Sequence, residues 1–502
     1  MSDDPALVRR GTQVLRADPR RVVTRLFLPG QEMETNAVSR ADAVIGRVLA
    51  MTESQVSAAL SATVTRFADR HQDLRAVFAE HFALVAHRLP KTADGSVERR
   101  DLIGAYFTRE YSVEAAALFN PSIVVHPDQS GLAAGELRFI MSVRAVGEGH
   151  TSSIEFRTGV LTGSADIRID TPGRHLVTGR ATPATMSQEF LRDALAERAD
   201  AGTADYLLSL LPAQFDTRDL DSAIASVERD RLTRRSAEAI IERIRWIVSC
   251  NYQLHFPGDR TLSERVIYPT NADESHGIED ARFTRFVEDD GRVTYYATYT
   301  AFDGSNIASH LLQTNDFQTF DITQLVGPAA KNKGLALFPR RVNGKYLALS
   351  RWDREDIGLA SSTDTREWGG TVVTVQTPEQ PWELIQLGNC GSPIETSDGW
   401  LVLTHGVGPM RTYGIGAILL DLDDPSMLIG ALSQPILTPT DEERDGYVPN
   451  IVYSCGALLH EQTLVLPYGC SDSSIRVAFV NVSELLNRLR ASRRHPSGNP
   501  PS

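Results

Sequence analysis

Hydrophobic residues follow two different periods along the chain. Between positions 37 and 89, apolar side chains recur at intervals of three and four, as in Ile45, Val48 and Leu49. That spacing predicts amphipathic helices. A second helical zone is predicted for residues 187–250, where the segment Ala-Ile-Ile-Glu-Arg-Ile-Arg-Trp-Ile has the same period. The last half of the chain is instead predicted to form short strands.

A hairpin pattern is repeated through the strand-rich part. Each copy has a short strand, a tight polar turn and a second apolar strand, and three of the turns contain Asp-Gly or Asn-Gly, with the glycines at positions 291, 344 and 399. A fourth copy turns near Glu461, and a fifth lies upstream, where Glu136 begins the second strand. Such turns between apolar runs are typical of β-hairpins. Units of several strands that recur about every 40–60 residues are typical of propeller blades.

We therefore predict a mainly β fold, a five-bladed β-propeller with a helical N-terminal extension and a helical insertion after the first blade. The predicted segments are residues 1–114 for the extension, 115–185 for the first blade, 186–252 for the insertion, 253–490 for the remaining blades and 491–502 for a disordered tail rich in Ser, Pro, Gly and Arg. In a propeller, strand ends and connecting loops converge near one axis, so polar residues at comparable strand ends would form a common site.

Composition narrows the class of protein. The 502 residues include 51 Lys and Arg against 64 Asp and Glu, a formal net charge of −13, which disfavours a general nucleic-acid binder. No basic stretch followed by an apolar run opens the sequence, and no apolar window approaches ~18 residues, so we expect a cytoplasmic protein with no membrane partner. The four scattered cysteines form no CxxC pair, and we expect reduced thiols and no metal site.

Charged residues stand at comparable ends of the predicted hairpins. Glu279, Asp280 and Arg282 enter one apolar strand directly. The other hairpins carry Arg144, Lys333, Arg351, His405 and Asp472 at such positions. Each residue alone fits an ordinary solvated strand end, and the acidic pair with its arginine also fits a surface ion pair. Gathered together, the basic groups would hold a phosphate, and a carboxylic acid beside them would protonate a leaving group.

At these positions the sequence resembles glycoside hydrolase family 130, the β-mannoside phosphorylases and β-mannosidases. The resemblance extends from about residue 119 to residue 486 and rests on ordered motifs, namely Gly277-Ile-Glu-Asp-Ala-Arg, Lys333-Gly-Leu-Ala-Leu-Phe-Pro-Arg-Arg-Val-Asn-Gly-Lys-Tyr, Gly399-Trp-Leu-Val-Leu-Thr-His-Gly-Val, Gly446-Tyr-Val-Pro-Asn-Ile-Val-Tyr-Ser-Cys-Gly and Tyr468-Gly-Cys-Ser-Asp. Two positions depart from the family pattern: Ala281 replaces a common proline, and Ser350 replaces a histidine that many phosphorylases carry.

The resemblance implies a role for each matching residue. Asp280 would be the proton donor, and in the phosphorylases its proton is thought to pass through a sugar hydroxyl. The phosphate-binding residues implied are Lys333, Arg351, His405, Arg144 and Ser122. The substrate-binding residues implied are Asn120, Glu279, Arg282, Asp303, Tyr447 and Asp472.

We accordingly expect an inverting β-mannoside phosphorylase that uses inorganic phosphate as co-substrate and no cofactor, and that releases α-mannose 1-phosphate from mannobiose or mannooligosaccharides. Phosphate is already anionic, so it needs cations where water would need a second carboxylate as base. An inverting β-mannosidase stays open, because the sequence does not place Glu355, Glu383 or Glu395. A non-catalytic carbohydrate-binding propeller is a third possibility, and the helical additions would cap the cleft or form a homo-oligomer contact.

Overall fold

The computed structural model describes residues 6–30, 39–90, 95–163, 166–196, 201–229 and 237–492. The chain divides into two compact units, a smaller one formed by Asp18–Ala115 with Gly173–Val177 and a larger one formed by the rest. Within the described ranges, no helix is long and apolar enough to cross a membrane. From residue 493 onward, the predicted disordered tail lies outside the described residues.

The smaller unit is mainly helical. Strand β1 (Val8–Arg16) precedes it and belongs to the larger unit. The elements of the smaller unit are β2 (Val22–Leu26), α1 (Arg40–Leu49), α2 (Glu53–Phe67), α3 (Leu74–Val85), the 3-10 helix Ala86–Arg88, α4 (Val97–Tyr106) and β3 (Thr108–Ser112). The predicted stripe residues Ile45 and Val48 are buried in its core. Helices α3 and α4 pack closely because residue 104 is glycine: a Cβ there would lie 1.8 Å from the carbonyl oxygen of Phe78.

The larger unit begins with an antiparallel sheet, called here the first sheet, whose strands pair in sequence order. Its strands are β4 (Ala117–Val125), β5 (Glu136–Val146), β6 (Ser152–Thr162) and β7 (Ile167–Ile169), with a 3-10 turn at Glu148–His150. Short strands β8 (Val177–Thr178), β9 (Arg180–Pro183) and β10 (Met186–Ser187) follow.

Four helices lie inside the segment 186–252, where a helical insertion is predicted. They are α5 (Gln188–Ala196), α6 (Ala201–Leu210), α7 (Thr217–Arg229) and α8 (Ala237–Ser249), with the short strand β11 (Gln214–Phe215) between α6 and α7. Leu191, Leu207, Ile224 and Ile244 are buried together in a core that belongs to this segment. The helices therefore fold around their own apolar centre.

The second sheet contains the hairpin that carries Asp280. It consists of β14 (Gly277–Val287), β15 (Val293–Phe302), β16 (Ile307–Thr314) and β17 (Thr319–Gln324), paired antiparallel in order. Strands β12 (Tyr252–His255) and β13 (Arg265–Ile267) and the 3-10 helices Leu262–Glu264 and Ala272–Glu274 come before it. Strand β12 extends this sheet by pairing with β17.

Three further antiparallel sheets complete the larger unit. The third contains β18 (Ala336–Leu337), β19 (Tyr346–Ser350), β20 (Ile357–Ser362) and β21 (Val373–Gln376), after the 3-10 helix Pro328–Ala330. The fourth contains β22 (Gln386–Asn389), β23 (Ile394–Thr396), β24 (Gly399–Val407), β25 (Tyr413–Leu420) and β26 (Leu428–Ala431), with the 3-10 turn Pro409–Arg411. The fifth contains β27 (Val452–Tyr453), β28 (Leu458–His460), β29 (Thr463–Cys470), β30 (Ser474–Asn481) and β1, and helix α9 (Val482–Ala491) follows it.

The five repeated hairpins of the sequence lie in these five successive groups of strands. The first two groups are hydrogen-bonded into one larger sheet, because β6 pairs with β13 and, at one residue pair, with β14. The prediction of a mainly β fold is confirmed. The glycines of two predicted turns, Gly291 and Gly344, have φ angles of 82° and 74°. Those angles lie in the left-handed region that tight hairpin turns require and that glycine enters without steric cost.

The start of the chain differs from the predicted helical extension, because residues 8–16 form a strand. Strand β1 pairs antiparallel with β30, and Val8 lies opposite Val480. The Arg9 guanidinium lies 4.7 Å from the centre of the Phe479 ring. A strand whose partner comes from the distant end of the chain carries no hairpin signal, so local patterns do not reveal it.

Apolar contacts join each sheet to the next. The ring centres of Phe156 in the first sheet and Phe283 in the second lie 5.9 Å apart. Shared buried clusters join the second sheet to the third, the third to the fourth, the fourth to the fifth, and the fifth back to the first. In the last of these clusters, Ile123 and Met141 pack with Val465 and Val477. Each of the five sheets therefore has two neighbouring sheets.

Candidate active site

Two strands carry matching irregularities at the centre of the candidate site. The register of β4 shifts between Phe119 and Ser122, and that of β14 shifts between Glu279 and Arg282. The residues in these bulges, Asn120 and Asp280, have left-handed φ angles of 48° and 57°. A bulge re-aims a side chain, and non-glycine residues adopt such angles only when their surroundings enforce them. Here Asn120 Nδ2 donates to Asp280 Oδ1 over 2.7 Å.

Asp280 is a buried carboxylate surrounded by cations. Its side chain lies 3.3 Å from Arg144 Nη1. Burial alone would raise the pKa of Asp280, but the charges of Arg144, Arg282 and Lys333 outweigh it and hold the pKa below its usual range. Asp280 is therefore ionised at neutral pH in the free protein, and it acquires a proton only when the surrounding charge changes.

Positive and negative groups alternate around this carboxylate. Arg144 Nη2 donates to Glu279 Oε1 over 2.6 Å, and Lys333 Nζ lies 3.7 Å from Glu279 Oε2. Burial would lower the pKa of Arg144, but the carboxylates of Asp280, Glu279 and Asp472 raise it further than burial lowers it. The structure thus brings together five predicted site residues from different sheets and their loops, namely Arg144, Glu279, Asp280, Lys333 and Asp472.

Arg282 is bound by protein groups on every side. Its Nε donates to the carbonyl oxygen of Cys390 over 2.8 Å, its Nη1 to the carbonyl of Asp280 over 3.1 Å, and its Nη2 to the Tyr453 hydroxyl over 2.6 Å. Arg282 therefore ties the second, fourth and fifth sheets together beside Asp280, and its charge acts on the site at short range.

Arg351 and His405 form a second part of the site. Arg351 Nη1 lies 3.4 Å from His405 Nε2. Because an arginine only donates, Nε2 is the acceptor, and Nδ1 carries the ring proton. Burial, then the charges of Arg351 and Arg282, hold the pKa of His405 well below its usual value. The resemblance groups His405 with the basic residues that hold phosphate, and in the free protein it is a neutral hydrogen-bond donor.

Buried donors in this part lack partners within the described residues. The Nε of Arg351 and the Nδ1 of His405 have none, and neither does the Nε of Arg144. Unpaired buried donors are rare in folded proteins and are costly unless a ligand or water accepts their hydrogen bonds. Oxygens of a bound anion would satisfy them.

Asp472 lies within the electrostatic field of the same cluster. It follows β29 and has a left-handed φ of 50°. Burial and the neighbouring charge of Asp280 raise the pKa of Asp472 to about 6, although Arg144 and Arg411 oppose the shift. Two carboxylates thus share one site, and the pKa of Asp472 is raised where that of Asp280 is lowered.

Three predicted site residues bind other partners. The Ser122 hydroxyl accepts a hydrogen bond from the Phe283 amide over 3.1 Å. Tyr447 is half-exposed, and its hydroxyl lies 3.0 Å from His150 Nδ1. Asp303 accepts hydrogen bonds from the amides of residues 305 and 306 and so caps its own turn between β15 and β16.

The sequence-based selection missed Tyr453 and Asn389. The ring centres of Tyr453 and His405 lie 4.8 Å apart. Asn389 Nδ2 donates to the carbonyl oxygen of Gly334 over 2.9 Å and so fixes the loop that carries Lys333. Tyr453 lies inside the quoted motif that begins at Gly446, which is a usable signal, whereas nothing in the sequence around Asn389 distinguishes it.

The three glutamates that would favour water as nucleophile contact other groups. Glu395 pairs with Arg340 over 2.7 Å in a half-exposed position. Glu383 is buried, and its Oε1 accepts hydrogen bonds from the amides of Glu379 and Gln380. Glu355 is exposed. The carboxylates that do lie beside Asp280 are Glu279 and Asp472.

Comparison with known proteins identifies relatives of this chain. A family model described as beta-1,4-mannooligosaccharide phosphorylase matches residues 253–491. A beta-1,2-mannobiose phosphorylase of Listeria innocua is 34% identical over 236 residues, which are 46% of this chain and 65% of that protein. A 1,2-beta-oligomannan phosphorylase of Thermoanaerobacter sp. is 33% identical over 227 residues, which are 45% of this chain and 75% of that protein.

Solved structures give a weaker match. The beta-1,2-mannobiose phosphorylase from Listeria innocua, in complex with beta-1,2-mannobiose, aligns with 76% of this chain and 93% of its own, with 24% identity and a TM-score of 0.45. The family model covers the segment that contains Asp280, Lys333, Arg351 and His405. Together with the match at 33% identity that covers 75% of a relative, it establishes that the chain belongs to glycoside hydrolase family 130.

Proposed function

We propose that the chain is an inverting β-mannoside phosphorylase. A phosphate oxygen attacks the anomeric carbon of the mannosyl unit, the bond from that carbon to the bridging oxygen breaks, and the leaving oxygen takes a proton that originates from Asp280. The products are α-mannose 1-phosphate and a mannoside shortened by one unit. The configuration inverts because the phosphate enters on the face opposite the leaving group.

One observation carries the proposal: a buried carboxylate lies beside cations and beside buried N–H donors that have no partner within the described residues. Arg351, Lys333 and the Nδ1–H of His405 would bind phosphate oxygens. Because phosphate is an anionic nucleophile, positioned cations and donors serve it better than a general base.

The lowered pKa of Asp280 requires the site to change before proton transfer. Phosphate brings up to two negative charges into the field of Lys333 and Arg351, and this offsets the cations that keep Asp280 ionised. Phosphate binding therefore promotes protonation of Asp280, which couples the nucleophile to the acid. Whether the proton moves directly or through a sugar hydroxyl, the bond changes and products are the same.

Hydrolysis is the alternative from which the test must distinguish phosphorolysis. Glu355, Glu383 and Glu395, the three candidate bases, have other contacts or are exposed. Glu279, beside Asp280, is paired with Arg144 and Lys333. These contacts favour phosphate over water and leave Asp472 as the carboxylate that hydrolysis would use as a base. The linkage of the substrate is part of the proposal: the family model is described by a β-1,4 activity and the two relatives by β-1,2 activities. We propose β-linked mannobiose or mannooligosaccharides as the substrate class.

A five-bladed propeller is the architecture that we propose for the larger unit. The ring of neighbour contacts, in which the fifth sheet returns to the first, supports it. So do the site residues, since β4, β14, β22 and β27 all contribute groups to one cluster. A cytoplasmic location completes the proposal, and the four buried cysteines, none of which is paired, suit a reducing compartment.

The test uses the full chain with β-1,2-mannobiose and, separately, β-1,4-mannobiose, each with and without inorganic phosphate. We expect α-mannose 1-phosphate to form in at least one of the phosphate reactions, identified by the anomeric and phosphorus NMR signals. Release of free mannose without phosphate would replace the proposal with hydrolysis. Binding of the disaccharide with no product in any reaction would make the protein a carbohydrate-binding propeller.

A further inference from the structure

A second cluster of chemically reactive side chains lies outside the candidate active site. Cys250 follows helix α8, Asp273 lies in the 3-10 helix Ala272–Glu274, and His310 lies in strand β16. Each offers a ligand atom, these atoms all lie within 4.8 Å of one another, and all three residues are buried. Because the three residues lie in separate elements, sequence spacing gave no sign of the cluster.

Two polar atoms of this cluster are unsatisfied. His310 Nε2 lies 2.6 Å from Asp273 Oδ2. Asp273 Oδ1 and His310 Nδ1 have no hydrogen-bond partner within the described residues, although Asp273 is 3% and His310 0% exposed. Leaving such groups unpaired in the interior is costly, so a ligand that binds them would stabilise the fold.

We propose that Cys250, Asp273 and His310 bind a divalent transition-metal ion, with zinc as the expected ion. A thiolate, a carboxylate and an imidazole form a donor set that zinc prefers, and three protein ligands leave a fourth position for water. Zinc–ligand bonds of about 2.0–2.3 Å place the donor atoms about 3.2–3.8 Å apart. The ligand atoms lie within 4.8 Å of one another and His310 Nε2 lies 2.6 Å from Asp273 Oδ2, so binding requires small movements of the three side chains.

The charge of the cluster fits a divalent cation. When the ion binds, the Cys250 thiol gives up its proton, and the resulting thiolate with the Asp273 carboxylate supplies two negative charges. These charges balance the ion, while the neutral imidazole of His310 adds none. The ion and its three ligands are then electrically neutral together, which lowers the cost of placing the ion in the interior.

The surroundings hold two of the ligands in position. Glu274, beside Asp273, accepts hydrogen bonds from the Tyr252 hydroxyl over 3.1 Å and from the Tyr299 hydroxyl over 2.7 Å. The Tyr299 ring stacks on the His310 ring with centres 5.3 Å apart. Glu274 is thus occupied by the tyrosines and does not compete for the ion, and His310 is restrained by packing.

The cluster borders a groove through Asp273. A cavity of about 1150 Å³ is lined by Asp273, Ser309 and Trp246, among other residues of the second and third sheets and of α5 and α8. Asp280, Arg351 and His405 do not line this groove, so the cluster is a separate site. The ion would join the end of the helical insertion, through Cys250, to the second sheet, through His310.

The first test is a cobalt titration of the full chain after dialysis against a chelator. We expect a thiolate-to-cobalt charge-transfer band that saturates at about one ion per chain and disappears when zinc is added. Metal analysis of zinc-loaded protein should then give about one zinc per chain. The absence of a charge-transfer band, or a band that zinc does not displace, would overturn the proposal and leave a hydrogen-bonded cluster.

Variants show whether the bound ion occupies this cluster. Cys250→Ser should abolish the charge-transfer band, and His310→Gln should weaken cobalt binding at least tenfold. The matched control is Cys470→Ser, a buried cysteine in the fifth sheet, which should leave the band unchanged. Retention of the full band in folded Cys250→Ser protein would refute the site. Because the wild-type titration is independent of the variants, a misfolded variant leaves the test intact.

Discussion

Two buried charged networks in the larger unit, one around Glu443 and one around Asp280, differ in how many of their polar atoms have hydrogen-bond partners. One carboxylate oxygen of Glu443 accepts a hydrogen bond from Arg10, and the other accepts one from the Tyr468 hydroxyl over 2.7 Å. Arg10 Nη2 in turn donates to the Thr438 carbonyl over 2.8 Å. Around Asp280, the buried atoms Asn120 Oδ1, Arg144 Nε, Arg351 Nε and His405 Nδ1 have no partner in the described part of the chain. The first network is complete within the protein, whereas the second leaves hydrogen-bonding atoms open to a ligand.

The backbone shows the same contrast. Asn120, Asp280 and Asp472 all have left-handed φ angles, whereas Glu443 does not. Strained backbone and unpaired donors each reduce stability, so a protein retains them together where they serve binding or catalysis. Burial and charge alone therefore do not distinguish these two networks, whereas unmet hydrogen-bonding capacity and left-handed backbone angles do.

The sharpest test of the contrast is Asp280→Asn, which keeps the shape of the side chain and removes the acid. We expect kcat for phosphorolysis to fall about 10³-fold or more, because a positioned proton donor contributes about 10²–10⁴-fold. The melting temperature should fall as well, because Arg144 and Lys333 lose a buried negative partner, so kcat is compared on folded protein. Asp290→Asn, in an exposed hairpin turn, is the control and should leave both quantities unchanged. A kcat within tenfold of wild type would remove Asp280 from the chemistry.

Glu443→Gln should lower stability without lowering kcat. Removal of one partner from a buried ion pair costs about 3–5 kcal/mol, since Arg10 is left with an unbalanced charge. Urea unfolding should show that loss, while kcat of the protein that remains folded stays near wild type. If kcat fell and stability did not, the distinction between the two networks would be wrong.

Arg351→Gln probes the incomplete network from its phosphate side. We expect the KM for phosphate to rise about 10–100-fold, which corresponds to about 1.5–3 kcal/mol for hydrogen bonds to a charged group, and the KM for mannobiose to change much less. The control is Arg340→Gln, because Arg340 forms a half-exposed pair with Glu395. Equal changes in both KM values would indicate a general distortion of the site instead.

The raised pKa of Asp472 predicts a pH dependence of stability. Its protonated form is favoured in the folded protein, so this stabilisation is complete below the unfolded pKa of 3.8 and is lost as the pH rises through about 6. Asp472→Asn should therefore differ little from wild type in stability near pH 4 and be more stable by up to ~3 kcal/mol near pH 8. Thermal unfolding across that range measures the gap, and a gap that does not widen with pH would contradict the assigned environment of Asp472.

The features that sequence could predict are the local ones. Asp-Gly and Asn-Gly turns between apolar runs predict the hairpins. The segment around Asp280 can be identified because its motif consists of consecutive residues. The features that it could not predict depend on distant partners. Asn389 acts through the carbonyl of Gly334, and Cys250 meets His310 only after folding. The neutral state of His405 likewise results from burial and two arginines, none of which neighbours it in the chain.

The pairing of β1 with β30 has a consequence for biosynthesis. Strand β1 (Val8–Arg16) leaves the ribosome long before its partner β30 (Ser474–Asn481). Strand β1 thus stays unpaired until β30 has been translated, and such unpaired strands invite aggregation. Truncated translation products, which lack β30, would expose β1 as well, so incomplete chains should depend on chaperones far more than the finished protein does.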